Sequence, residues 1–456
     1  MDKLDPSAVP PDVRDLCARL REKGKKAYVV GGCVRDLLRG APAADWDVTT
    51  DARPDELMTI FPRAIPTGIR HGTVTVVKNK QHYEVTTFRG ESAYTDGRHP
   101  DAVEFVSDIE QDLARRDFTV NAIALDPIDG HVIDPYGGQR DLVAKVLRAV
   151  GVARERFDED GLRVLRAARF VAQLEFSLDP ETARAIPDTM DTFKKVSMER
   201  VRDEWTKTMK AKSPSRAFEV MREGRILDVV CPELLLGVGM EQNKYHQFDV
   251  WGHAMACVDA CAGDPILRIA ALFHDVGKPA TRAFSGKTQD YTFYEHERVG
   301  AEIVFPICTR LRFSNEERAR IQDLVRHHLF HYSDEWTDAA VRRWVKRVTT
   351  DRVQDLYLLN EADVRAKGKD AFSTPDLAAL TGLKAHVAKV LAAGAALSTR
   401  DLCINGRDLM QELGIPPGRA LGDLLEALLD AVLTDPTQNE RARLLALAAE
   451  LHAQKP

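Results

Sequence analysis

The chain has 456 residues, enough for two to four domains with cores of their own. Hydrophobic residues make up 44% and charged residues 29%, as in soluble globular proteins, and no apolar run of about 18 residues suggests a membrane span. The net charge of −6 excludes a protein that is basic throughout, so any nucleic-acid contact needs a local basic surface.

The start, Met1 to Pro6, lacks the regions of a signal peptide. The odd cysteine count, seven, favours reduced thiols and a cytoplasmic compartment, and Cys257 and Cys261 have no second pair to complete a zinc site. An amphipathic helix is expected from Asp12 to Lys23, then a short strand, Ala27 to Val30. Gly31-Gly32 breaks that strand, and Val34 to Leu38 reads as the start of a helix. Backbone N–H groups at such a turn, with Arg35 beside them, suit phosphate. In Asp45-Trp46-Asp47 a strand puts two carboxylates on one face and Trp46 on the other. Their Cα atoms are then about 7 Å apart, close enough to bridge two Mg²⁺ ions. The glycine patterns of dinucleotide and P-loop sites are absent. His71 to Val77 and His82 to Phe88 flank Lys78-Asn79-Lys80 and read as a hairpin beside the acidic strand. Glu84 on it is either a third metal carboxylate or a surface glutamate. Arg89 to Val103 is polar and reads as a loop.

Arg115-Arg116-Asp117 with Asn121 is either a surface ion-pair cluster or a grip on a triphosphate by planar guanidinium groups. From about Leu142 the pattern is helical, with breaks near Gly151, Pro232 to Gly239 and Lys367 to Pro375. Asp160, Arg163, Arg166 and Arg169 recur every three residues, a stripe that drifts by about 60° per step around a helix. They form a salt-bridge ladder, or they read a base. A carboxylate accepts from an exocyclic amine and a guanidinium donates to the neighbouring acceptor. Cytosine and adenine offer that pattern; uracil and guanine reverse it.

Gly31-Gly32-x-x-Arg35-Asp36, Asp45-x-Asp47, Arg115 to Ile123 and Glu159-Asp160-x-x-Arg163 together resemble the class II tRNA nucleotidyltransferases, the CCA-adding enzymes. The likeness runs on through Asp134-Pro135-Tyr136-Gly137-Gly138 to the C-terminus. The resemblance implies an α+β fold: a polymerase-β-type head (1–150), a helical neck with base pocket and RNA-binding region (151–240), an HD domain (241–370) and a helical tail (371–456). It implies that Gly32 and Arg35 hold the triphosphate, Asp45 and Asp47 hold Mg²⁺, and Arg116, with Asp117 and Asn121, meets the nucleotide. Asp160 and Arg163 would select the base, with Arg166 and Arg169 lining the same pocket. The reaction implied is attack of a tRNA 3′-hydroxyl on the α-phosphorus of CTP or ATP. Bacterial poly(A) polymerases share the head, so a poly(A) or A-only enzyme is the alternative. The stretch Glu84 to Val103, with Tyr94, Asp96, Gly97 and Arg98, is similar to the loop with which the family switches from C to A, which disfavours a CC-only enzyme.

Lys194, Lys195, Arg200, Arg202 and Lys207 make a locally basic segment, read as a solvated helix or as phosphate contacts to the tRNA acceptor arm. His253, His274-Asp275, His296, one of His327 and His328, and Asp363 form a separate set. It resembles the HD-domain phosphohydrolases, with His253, His274, Asp275 and Asp363 matching the core ligands. Imidazole with carboxylate suits Ni²⁺, Mn²⁺ or Fe, and the resemblance implies 2′,3′-cyclic phosphodiesterase or phosphatase activity. The tail from Ile404 resembles the family's tRNA-holding end, with Gly414 to Gly418 between two helices.

Overall fold

A computed structural model describes residues 3–90, 104–368 and 370–453, which divide into two compact units, 1–235 and 236–456. The expected loop over 89–103, including Tyr94, Asp96, Gly97 and Arg98, lies almost wholly outside the described residues.

Unit 1 begins with the helix Pro11–Glu22, whose buried side chains Val13, Leu16, Cys17 and Leu20 fall at i, i+3, i+4 and i+7. It packs on a seven-stranded sheet of order β3-β4-β5-β2-β1-β6-β7. The strands are β1 (Ala27–Val30), β2 (Asp47–Thr50), β3 (Ala64–Gly68), β4 (Thr73–Lys78), β5 (Gln81–Thr87), β6 (Ala124–Leu125) and β7 (Val132–Ile133). The β4/β5 hairpin is antiparallel, and Asn79 and Lys80 turn it with φ of 49° and 65°, the backbone a two-residue turn needs to match strand twist. β5 runs parallel to β2, Val48 opposite Val85, while β1 runs antiparallel, Val30 opposite Asp47. Glu84 therefore comes alongside Asp47.

Two expectations are corrected here. β2 begins at Asp47, so Asp45 and Trp46 precede the ladder and strand alternation does not place them on opposite faces. The run from Glu159 to Phe170 is not one helix. Ala153–Glu159 ends at Asp160, which has extended backbone (φ −141°, ψ 105°), and a second helix spans Leu162–Leu174. Gly161 between them is packed so closely that a Cβ would lie 2.8 Å from the Thr192 carbonyl oxygen and from Phe193 Cα. The helices Met198–Thr208 and Ser215–Glu223 follow further on, with Trp205 fully buried edge-on to Phe218.

Unit 2 is helical except for a small hairpin of Ala283–Ser285 with Asp290–Thr292. The helices Val250–Ala260, Pro265–Phe273, His296–Arg310, Asn315–His327 and Thr350–Ala366 carry or adjoin the histidine set. In the tail, Gly406–Leu413 and Arg419–Thr434 are separate helices around a core of Ile404, Leu409, Leu428, Leu429 and Leu433. Arg342, buried, donates to the Leu433 and Thr434 carbonyls at 2.7 and 3.2 Å, satisfying helix-end acceptors that otherwise lack partners. All seven cysteines are free thiols, and only Cys403 is exposed. Among the described residues no helix is long and apolar enough to cross a membrane.

Candidate active site and metal centre

The head site starts where β1 ends. Gly31 has φ +83°, a conformation that L side chains rarely adopt, and a Cβ there would come within 3.1 Å of Arg116 Nη1. The helix Gly32–Leu38 follows, one residue pair earlier than the sequence suggested. Arg35 on it is buried and donates to Asp36 through Nε and Nη2, both at 2.9 Å, and to Asn121 Oδ1 at 2.8 Å. Asn121 in turn donates to Asp117 Oδ1 at 3.0 Å, and Asp117 Oδ2 receives two hydrogen bonds from Arg166, at 2.8 and 2.5 Å. One chain of polar contacts thus joins the glycine turn to the Leu162–Leu174 helix.

A cavity of about 350 Å³ is lined by Asp47, Glu84, Arg115, Arg116, Asp117, Asp160, Arg163, Arg166 and Arg200. Burial in its wall pushes the Asp47 carboxyl up to about 6; Arg116 pulls the other way, and Glu84 and Asp45 add to the rise. Solvent still reaches Asp47 from the open side. A carboxyl whose ionisation is opposed by burial and by two acidic neighbours is a fit for a divalent cation with oxygen ligands. Across the cavity, Asp160 Oδ1 accepts from Leu162 N–H at 3.0 Å and Oδ2 from Arg200 at 2.8 Å. Arg163 donates to Glu159 at 2.6 Å and to the Arg156 and Arg115 carbonyls at 2.9 and 2.8 Å.

In unit 2, His253, His274, Asp275, His296, His328 and Asp363 converge from five helices or their ends, all buried. Their ligand atoms form two triads: His253, His274 and Asp363, and Asp275, His296 and His328. Asp275 joins them, with Oδ2 3.1 Å from His274 Nε2 and Oδ1 3.3 Å from His296 Nε2. His274, His296 and His328 each direct Nδ1 to a backbone carbonyl, of Ala271, Phe293 and Val325, at 2.7 to 2.8 Å. That fixes the tautomer and leaves Nε2 for a ligand. Burial, with His274 and His296 nearby, holds His328 down to about 3, so its ring is neutral. The Nε2 atoms of His296 and His328 then face each other at 3.4 Å, an approach that a cation between them stabilises. For Asp275, burial works upward, but His274 and Lys278 hold the carboxyl well below its usual range. Lys278 Nζ lies 2.6 Å from Asp275 Oδ2. Asp275, Lys278, His296, His328 and Asp363 line a cavity of about 540 Å³ that also carries His246, Lys367, Tyr245 and Tyr294.

Residues 27–148 match the family described as the poly A polymerase head domain, 175–236 the one described as the probable RNA and SrmB-binding site of polymerase A, and 301–448 the one described as tRNA nucleotidyltransferase domain 2. The CCA-adding enzyme of Lactobacillus johnsonii is 34% identical over 93% of this chain and 93% of its own length. The chain belongs to the CCA-adding enzymes. The Streptococcus pneumoniae CCA-adding enzyme is 33% identical over 95% of both chains. The Bacillus stearothermophilus CCA-adding enzyme, solved with CTP, superposes with a TM-score of 0.75 at 28% identity, covering 98% of this chain and 99% of that one. The Thermotoga maritima CCA-adding enzyme complexed with tRNA shares the fold, with a TM-score of 0.59 at 20% identity over 99% and 100% of the two chains.

Against the residues expected of a CCA-adding enzyme, the structure gathers Asp47, Glu84, Arg116, Asp117, Asp160, Arg163 and Arg166 around one cavity. Asp45 lies on the adjoining one. Arg169 does not line the pocket with Arg166, as had been expected. The drift of a three-residue repeat turns it away, onto Glu204 at 2.6 Å and the Phe170 ring at 4.1 Å. Arg200 leaves the expected RNA-facing set and points inward to Asp160, whereas Lys194, Lys195 and Lys207 are exposed and Arg202 pairs with Asp203. Of the two adjacent histidines, His328 joins the centre and His327 does not. Sequence reasoning missed Asp112, which is fully buried and braces both Arg115 and Arg116 at 2.8 and 3.4 Å. Its place one helical turn before the arginine pair was the available signal.

Proposed function

We propose that the chain completes the 3′ end of tRNA, adding C, C and A from CTP and ATP without a nucleic-acid template and releasing pyrophosphate. The observation that carries this reading is one cavity with the acids Asp47 and Glu84 on one wall and the carboxylate–guanidinium pair Asp160 and Arg163 on another. The family's members are named for the same reaction. Asp45, Asp47 and Glu84 would hold Mg²⁺, which when bound supplies charge that activates the attacking hydroxyl and offsets the departing pyrophosphate. Arg116, at the Gly31 turn, meets the triphosphate. Arg35, committed to Asp36 and Asn121, keeps that turn in shape beside Gly32. Asp160 accepts from the exocyclic amine of C or A, and Arg163 donates to the acceptor next to it. Both are held by the protein beforehand, so little ordering is left for binding. The 3′-oxygen bonds to the α-phosphorus as the α–β bridging bond breaks.

Incubation with tRNAs ending before CCA, after C and after CC, with each nucleoside triphosphate singly, tests this reading. Incorporation of C, C and then A supports it. Incorporation of ATP alone points instead to the A-only or poly(A) reading that the shared head leaves as the alternative.

We further read residues 241–370 as an HD domain with metal-dependent phosphohydrolase activity, followed by a tail from 371, as 1–150 and 151–240 are read as head and neck. The support is the six-residue cluster with Asp275 shared between two triads, a donor set suited to Ni²⁺, Mn²⁺ or Fe. Release of phosphate from a 2′,3′-cyclic-phosphate RNA end, lost in His274→Ala and Asp275→Ala, tests it. No release with any of the three metals leaves the domain structural.

A further inference from the structure

Residues 242–248 form a strap beside the candidate metal centre of unit 2, and none of them belongs to its two triads. Gln242 accepts from Lys278 Nζ at 2.6 Å and donates to the Phe248 carbonyl at 3.2 Å. The Lys244 amide donates to Asp290 on the small hairpin at 3.1 Å, and the Gln247 amide to the Lys367 carbonyl at 3.1 Å. Anchored at these points, the strap brings Tyr245 and His246 to the wall of the 540 Å³ cavity.

His246 stands edge-on to His253, with ring centroids 4.9 Å apart. Its Nδ1 lies 2.8 Å from Asn243 Oδ1, which also accepts from the Tyr245 amide at 3.2 Å. An atom that accepts from a backbone N–H is the oxygen of the Asn amide, so His246 Nδ1 carries the proton and Nε2 is left for another partner. In a neutral imidazole that nitrogen is an acceptor, which suits a hydroxyl and not a phosphate oxygen. The phosphate belongs with the triads, where Lys278 and Lys367 add positive charge to the same cavity. Because His246 touches the ligand His253, its hydroxyl partner lies next to that phosphate. A hydroxyl and a phosphate on neighbouring carbons are what ribose offers at its 2′ and 3′ positions. At the same cavity Tyr245 and Tyr294 are 44% and 80% exposed, and Tyr294 is a flat face open to stacking by a base. The volume is within the range of roughly 300–1,000 Å³ usual for small-ligand pockets.

We infer that His246 and Tyr294 select a ribonucleotide end: His246 Nε2 accepts from the ribose hydroxyl beside the phosphate, and Tyr294 carries the base. This rests on the phosphohydrolase reading above. When water opens a 2′,3′-cyclic phosphate, the water oxygen bonds to phosphorus and one bond from phosphorus to a ribose oxygen breaks. That ribose oxygen takes a proton from the water and becomes the hydroxyl that donates to His246.

The test uses the full chain loaded with Ni²⁺ and an RNA ending in a 3′-phosphate, with ribose or 2′-deoxyribose in the last nucleotide. For wild type, the KM of the deoxy end is expected to be about tenfold higher, the loss of one hydrogen bond. His246→Ala raises the ribose KM to the deoxy value and leaves the deoxy value unmoved, and His246→Gln, which keeps an acceptor, restores the difference. Tyr294→Ala raises both about tenfold, the loss of one stacked base, without changing the KM for p-nitrophenyl phosphate; Tyr294→Phe restores them. Equal KM values for the two ends in wild type, an equal rise of both in His246→Ala, or no change in Tyr294→Ala overturns the inference. The Ni²⁺ content of His246→Ala equals that of wild type; a drop makes His246 a metal ligand and overturns its role. Binding is read without turnover by equilibrium dialysis of a uridine 3′-phosphonate, which is not hydrolysed, against its 2′-deoxy counterpart. Wild type retains the ribose form more tightly and His246→Ala does not; equal retention by wild type overturns the assignment. Absence of phosphate release by wild type counts against the phosphohydrolase reading, whereas the dialysis decides the seat by itself.

Discussion

Arg200 holds Asp160: its Nη2 donates to Asp160 Oδ2 at 2.8 Å across 40 residues of sequence. With Oδ1 taken by Leu162 N–H, both carboxylate oxygens are fixed. Arg200 is thereby a positioning residue for the group proposed to read the base. Arg200→Ala is expected to lower kcat/KM for CTP and ATP and to weaken discrimination against UTP and GTP, each by about tenfold, the scale of one charge-assisted hydrogen bond. Arg200→Lys restores part of the first effect. Comparing kcat/KM for CTP and UTP checks it, and a uniform drop with unchanged selectivity would sink the positioning role.

Gly161 sets the same turn by its size. A Cβ would meet the Thr192 carbonyl and the Phe193 backbone, neither of which can swing aside as a side-chain tip can. Gly161→Ala therefore shifts the turn between the two helices, at a cost of about 1–3 kcal/mol. CCA addition falls at least tenfold, while the cooperative unfolding of unit 2 is unchanged. Measuring both separates this from general unfolding.

Asp117 links stability to pH. Burial alone raises its carboxyl, but Arg166, Asn121 and Arg163 outweigh that and hold it at about 2, against an ordinary 3.8. A carboxyl held down in the folded state stabilises above its unfolded value and loses that contribution as pH falls through the folded one. Unit 1 is thus expected to weaken between about pH 4 and about pH 2, by on the order of 2 kcal/mol. Amide protection in the Leu162–Leu174 helix, compared with Asp117→Asn, measures this. The variant, which cannot ionise there, shows a flatter profile over the same window.

The candidate metal centre of unit 2 makes a sharp contrast of two neighbours. His328 directs Nδ1 to the Val325 carbonyl and faces Asp275, whereas His327 is only half-buried and outside both triads. Elemental analysis of protein loaded with Ni²⁺, with Mg²⁺ in excess to fill the head acids, is expected to give about two Ni²⁺ per chain, as two triads sharing one carboxylate imply. His328→Ala lowers that figure and His327→Ala leaves it. Equal loading of both variants would refute the assignment.

What was legible in the sequence was whatever local spacing controls. Ala27 to Val30 is a strand because Tyr28, Val29 and Val30 are aromatic or β-branched, and Gly31 ends it because only glycine takes that backbone without strain. The hairpin at Asn79 and Lys80 was legible for the same reason. So was the helix Pro11–Glu22, written in a four-residue apolar stripe, and the likeness of four ordered motifs to the CCA-adding enzymes. Residue types left the chemistry of the candidate site open between alternatives, and that likeness supplied the expected reaction.

Tertiary structure decided which side chains meet. Arg200 and Asp160, Asp112 and the arginine pair, and the choice of His328 over His327 all depend on how separate helices pack, which no short window encodes. Arg169 failed as a pocket residue because a three-residue repeat cannot stay on one face of a helix with 3.6 residues per turn. Asp160 left the helix because close packing at Gly161 favours a turn. The sheet order, with the acids on β2 and β5 between the glycine turn and the open edge, is a long-range pairing. That pairing, and no motif, gives the head two cavities on either side of one set of acids.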